Sequence, residues 1–214
     1  AAERNLREVS ELADRIRSYP LRLMERNATA GVLIMRNRLR EAAEHLRWVV
    51  TSADEWNDMV VHYAHWQLAA IHLEWNELDE AERILTAGYQ ITLKASAPLH
   101  RTRFHHLFAE VAWARNEPDL AYAEIERSIE TAHIVGGEAD IRLAHARRAR
   151  YWLESGSLEP AREWARASGL DPMTEPAYPR LQEYFVLLRL MVLDGRAQQG
   201  LDAIDLAQRN AVRQ

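Results

Sequence analysis

The chain has 214 residues, with 27 Lys and Arg against 32 Asp and Glu, a net charge of −5 and a pI near 6.0. This balance excludes a general nucleic-acid binder, because phosphate binding needs a basic footprint. There is no cysteine, which excludes disulfides, thiol catalysis and Cys-ligated zinc. No apolar run approaches the length needed to span a bilayer, and residue 1 opens no signal-peptide pattern. We therefore expect a cytoplasmic setting without membrane contact.

Nearly every segment reads as helix. Leu6, Val9, Ala13 and Ile16 share one helical face, so residues 1–18 form the first expected helix. Five pairs follow, an A helix and a B helix in each: 22–36 with 39–53, 57–75 with 78–95, 98–115 with 119–134, 138–154 with 158–168, and 179–194 with 197–211. Breakers mark the links between pairs: Thr51-Ser52-Ala53-Asp54, Pro98, Gly136-Gly137, and the stretch from Asp171-Pro172 to Pro179. With the helices joined by tight turns, each pair is a helical hairpin.

The turns recur. Asn37, Asn76, Asn116, Gly156 and Gly195 are spaced by 39, 40, 40 and 39 residues. Asn and Gly are the types that accept a left-handed backbone just past a helix end. At fixed offsets after each turn come a small residue (Ala42, Ala81, Ala121, Ala161, Gly200) and an apolar one (Leu46, Leu85, Ile125, Ala165, Ile204). A fixed period of this size means a repeat protein whose units bury their apolar faces by stacking. The expected fold is an all-α, right-handed superhelix of tetratricopeptide-like hairpins with a period of about 40 residues, forming one domain over 1–214. Ala30, Ala69, Ala109 and Ala149 supply the matching small face on the A helices, where the backbones must approach closely. Leu188 breaks that row, so the last hairpin should pack differently. Residues 1–18 read as a B helix lacking its A partner, and we expect a segment of a longer chain.

Three segments carry a family resemblance. They are Glu74-Trp75-Asn76-Glu77-Leu78-Asp79-Glu80-Ala81-Glu82; Ser155-Gly156-Ser157-Leu158-Glu159-Pro160-Ala161-Arg162-Glu163-Trp164-Ala165 followed by Gly169-Leu170-Asp171; and Tyr178 through Glu183 and Leu187-Leu188-Arg189 to Gly195. Together they resemble the sensor region of the MalT-like subset of LuxR-type transcriptional regulators. The resemblance implies a place between an ATPase module and a helix-turn-helix in a parent chain, with a small inducer, an oligosaccharide in the namesake, bound by the superhelix. The 214 residues contain no Gly-rich phosphate loop ending in Gly-Lys-Ser/Thr and no recognisable helix-turn-helix, so ATP and direct DNA binding are not expected of them.

His65, His105 and His145 stand 40 residues apart. Equivalent positions in adjacent repeats lie about 8–10 Å apart, whereas zinc ligands must all approach one metal to about 2 Å. The row therefore reads as packing, and neither a metal site nor a cofactor is expected. No nucleophile elbow or phosphate loop supports an enzyme.

The concave groove is the expected binding surface. Helix A positions supply Tyr63, Trp66, Arg103, His106, Glu110, Trp113, Arg147, Arg150, Gln182, Phe185 and Arg189. Ring faces with a few directional polar groups suit a sugar, a small inducer or a peptide. Glu110 and Arg150 equally suit an ion pair across repeats, and Trp113 suits the core. Arg142, Arg147, Arg148 and Arg150 make helix 138–154 locally basic, which fits either an anionic ligand or an internally paired face. Trp48, Trp75, Trp152 and Trp164 read as packing residues. A stand-alone adaptor holding a peptide or protein in the same groove is the competing function.

Overall fold

The computed structural model describes residues 8, 11–13, 15–52, 58–94, 98–135, 137–174 and 180–211. The described residues form ten helices and no strand, as the all-α expectation requires. They are α1 (Tyr19–Met35), α2 (Leu39–Ser52), α3 (Asp58–Glu74), α4 (Leu78–Lys94), α5 (Pro98–Ala114), α6 (Pro118–Val135), α7 (Glu138–Glu154), α8 (Leu158–Ser168), α9 (Leu181–Leu193) and α10 (Ala197–Ala211). Of the leading helix expected over 1–18, only Glu8, Glu11–Ala13 and Arg15 are described as helical; the rest of that helix either lies outside the described residues or, at 16–18, is not helical. The link residues 53, 54, 136 and 175–179 also lie outside them.

Each hairpin turn is built the same way. Asn37, Asn76, Asn116, Gly156 and Gly195 all adopt positive φ, between 58° and 79°. This conformation lets two successive amides turn back onto the helix just ended. Asn76 N–H donates to Leu73 O and Glu77 N–H to His72 O, both at 2.9 Å. The same pair of bonds recurs at Asn37–Arg38, Asn116–Glu117, Gly156–Ser157 and Gly195–Arg196. The recurring Asn or Gly is thus a backbone requirement. At the other end of a hairpin, α1 starts at Tyr19 because Ser18 caps it, its Oγ accepting from Leu21 N–H at 3.4 Å, with Pro20 in the first turn.

The chain divides into two compact units, 1–124 and 125–214, with the division falling inside α6. In the first unit, α1 to α5 pack in sequence, with α3 also touching α1 and α5. Its core joins Leu23, Leu46, Leu85 and Phe104 to the small residues Ala30, Ala42, Ala69 and Ala81. In the second unit, α7 packs on α8 and α9, and α10 packs on α9. There Ala146, Ala149, Ala161, Val186 and Leu190 form the core. Both small rows are fully buried: Ala42, Ala81, Ala121 and Ala161 on the B side, and Ala30, Ala69, Ala109 and Ala149 on the A side.

Two glycines show how tightly the small row is needed. A Cβ on Gly88 would stand 2.5 Å from His65 Cβ and 2.8 Å from the Phe104 ring, so at this point α4 leaves no room for a side chain against α3 and α5. Gly200 is different: its Cβ would meet only Leu188 Cδ2, at 4.0 Å. Leu188 takes the place that Ala holds in the other A helices, and its bulk keeps α10 from closing further onto α9.

Candidate ligand-binding site

The expected groove residues fall in both units, and each unit assembles its own group. In the first, Tyr63 and Trp66 lie three residues apart on α3 and so share a face. Their ring centroids are 5.4 Å apart. Arg103 of α5 lays its guanidinium 5.7 Å from the Tyr63 ring and 5.5 Å from that of Trp66, a cation–π arrangement of all three. Of the other three on α5, His106 is buried at 3 % exposure, Glu110 is half-buried, and Trp113 sits edge-on against Tyr122 at 6.1 Å.

In the second unit, Arg150, Gln182, Phe185 and Arg189 come together in the wall of one cleft of about 780 Å³. This is the scale of a small-molecule site. Arg150 comes from α7, the other three from α9, and Ile204 of α10 closes the far side. Glu154 holds the two arginines together, at 3.0 Å from Arg189 Nη1 and 3.6 Å from Arg150 Nε. The cleft also has apolar lining, of which Phe185, Val192 and Leu193 are each more than half exposed. Arg147 is half-buried on α7 and does not line this cleft.

Sequence reasoning missed Glu154, Val192, Leu193 and Ile204. Glu154 had a signal: it follows Arg150 by four residues, the spacing of a helical ion pair. The three apolar residues had none, because an aliphatic residue on an amphipathic helix reads as core until its neighbours are known.

The histidine row has three unrelated local environments. His65 Nδ1–H donates to Val61 O at 2.8 Å, and burial holds its pKa below the ordinary value. His105 donates from Nδ1 to Glu124 Oε2 at 2.7 Å, since a carboxylate can only accept. His145 accepts at Nδ1 from Arg148 Nη2 at 2.9 Å; burial and then Arg148 depress its pKa. Among the described residues, no group of three His, Asp or Glu is arranged to hold a metal ion. Nor is any described helix long and apolar enough to cross a membrane.

No curated protein and no solved structure matches the chain. A family model for the MalT-like TPR region matches residues 1–214, the whole chain, and the chain belongs to that family.

Proposed function

We propose that this chain is the ligand-sensing and interaction segment of a MalT-like, LuxR-type transcriptional regulator. It binds a small inducer, such as an oligosaccharide, and relays occupancy to an ATPase module of a parent chain. The observation that carries this reading is the cleft in which Arg150, Gln182, Phe185 and Arg189 meet. An exposed ring among apolar side chains, with charged and hydrogen-bonding groups in the same wall, suits a ligand having both apolar faces and directional polar groups. The relay follows population-shift logic: a ligand that binds one arrangement of the helices better than another biases the equilibrium between them. The repeat of about 40 residues belongs to the same proposal, supported by five turns of one construction.

The test is a thermal-shift screen of oligosaccharides and metabolites on the 1–214 chain. Ligand at about 100 times its dissociation constant adds about 2.7 kcal/mol of stability. The shift should vanish in Phe185→Ala and Arg189→Ala. A broad panel giving no shift, or a shift that both variants retain, overturns the reading.

A second reading has an observation of its own. Phe185, Val192, Leu193, Leu201 and Ile204 are all exposed on α9 and α10, apolar side chains on two helices that pack together. An adaptor that holds an amphipathic peptide there accounts for it. Ligand size separates the two, since only the adaptor binds helical peptides in preference to small molecules.

A further inference from the structure

A second cavity, of about 440 Å³, opens between α7, α8 and the start of α9. Its walls contain two indoles, Trp152 and Trp164, and the polar groups Arg142, His145, Arg148, Glu163 and Glu183. It is built from the opposite face of α7 to that of Arg150 and Glu154, and the two cavities share no lining residue.

Which of these groups are already committed decides what the cavity can take. Arg148 is: Nη1 donates to Glu126 at 2.5 Å, Nη2 to His145 Nδ1 at 2.9 Å, and the guanidinium lies 5.0 Å over the Trp152 ring. It therefore fixes both neighbours. Because a guanidinium only donates, His145 Nδ1 is the acceptor and its proton sits on Nε2, leaving one N–H donor. Glu183, also in the wall, is 4 % exposed and tied up by Arg180, which donates from Nη2 at 2.7 Å and from Nε at 3.2 Å.

Two charged groups keep hydrogen-bonding capacity. Arg142 pairs only loosely with Glu183 at 3.6 Å and Glu138 at 3.7 Å, neither of them a hydrogen bond, and its buried Nε, like that of Arg148, has no hydrogen-bond partner. A buried donor without an acceptor is a standing cost, which an incoming oxyanion removes. Glu163 is exposed on α8. The cavity thus offers a cation that is paired but not hydrogen-bonded, an imidazole N–H, an exposed anion, and two indole surfaces.

We propose that this cavity binds a small zwitterion of the aromatic amino-acid type. The carboxylate goes to Arg142 and His145, the ammonium to Glu163, and the ring to the indoles of Trp152 and Trp164. A purely anionic ligand meets Glu163 without a counter-charge, and a neutral sugar brings no oxyanion to Arg142.

The test is calorimetric titration of the 1–214 chain with L-tryptophan, tryptamine and indole-3-propionate, which remove the carboxylate or the ammonium in turn. L-Tryptophan should bind saturably, and each analogue at least tenfold more weakly. Arg142→Gln should erase the preference over tryptamine, and Glu163→Gln the preference over indole-3-propionate, with helical circular dichroism unchanged. Phe185→Ala, in the other cleft, should leave all three titrations as they are, so failure here is distinguishable from failure of the inducer reading. No binding of L-tryptophan at millimolar concentration, or equal affinity for indole-3-propionate, overturns the proposal.

Discussion

Arg162 donates to Asp194 through both Nε (2.9 Å) and Nη2 (2.7 Å), and the same bridge exists elsewhere with its charges exchanged. Glu82 accepts from Arg115 at 2.6 Å. Glu82 and Arg162 each follow the small residue of a B helix, and Arg115 and Asp194 each precede a turn residue. Either polarity satisfies the contact, so geometry and not the sign of one residue is what recurs. Arg162→Glu should lower stability through like-charge opposition. Adding Asp194→Arg should recover most of the loss in urea denaturation. A double variant no better than the single one would show that the bridge is not pairwise.

His105 and Glu124 join α5 to α6 with both side chains about one-tenth exposed. Tyr89 O–H lies 3.2 Å from the other ring nitrogen. Glu124→Leu removes the acceptor and leaves Nδ1–H enclosed, an expected loss of about 1–3 kcal/mol. Urea unfolding followed by circular dichroism measures it; a loss below about 0.5 kcal/mol would mean that water replaces the carboxylate.

Gly88→Ala and Gly200→Ala should have opposite signs. The first drives a methyl into His65 and Phe104, an overpacking of about 1–3 kcal/mol that outweighs the helix propensity gained. The second has open room toward Leu188 and should keep most of the roughly 1 kcal/mol by which Ala exceeds Gly in a helix. Melting temperatures of the two variants decide the matter.

Asn116 holds φ at 60° on an exposed turn. Asn116→Gly should raise stability by a few tenths to about 1 kcal/mol, and Asn116→Val should lower it by about 1–2 kcal/mol, because a β-branched side chain clashes in this conformation. Identical unfolding midpoints for the two would mean the turn reshapes.

Acid should weaken the fold in two steps. Burial first, with a contribution from Arg26, Arg83, Arg103 and Arg148 respectively, holds the pKa of His45, His65, His100 and His145 below the ordinary value. The unfolded chain then binds more protons than the folded one below about pH 6.5. Stability is full above that value and declines as pH falls toward the lowered folded values. Glu41, Glu80, Glu159, Asp171 and Asp194 are held low by hydrogen bonds from Arg38, Arg83, Arg166, the Met173 amide and Arg162. Their contribution is lost further down, as pH passes through their folded values. Urea midpoints at pH 7.5, 6, 5 and 4 should fall monotonically; a rise between 7.5 and 5.5 would contradict the histidine assignment.

The all-helical class, the left-handed turns and the small buried rows were legible because each is a local demand. A backbone at positive φ admits Asn or Gly wherever it occurs, and a close helix crossing admits Ala or Gly. Such requirements leave a residue type at a fixed place, and the family segments around Asn76, Gly156 and Gly195 contain these same places. Leu188 in the Ala row announced the looser contact at Gly200 for the same reason.

The sites were legible only in part. Position along a helix brought Arg150, Gln182, Phe185 and Arg189 onto the short list, and packing of α7 against α9 made them neighbours. The list also included His106, which is buried, because periodicity assigns a helix face but not what covers it. Trp152 and Trp164 read as packing residues and do pack against the core of the second unit, and both also reach a cavity wall. Arg142, Arg147, Arg148 and Arg150 look alike in one dimension. Glu126 and His145 take hydrogen bonds from Arg148, whereas Arg142 is only loosely paired with Glu183 and Glu138, since an ion pair depends on distances of about 3 Å between atoms more than 20 residues apart in the chain as often as four. Residue type and spacing decide the backbone; which charges are spent and which are left over is decided only when the helices are packed.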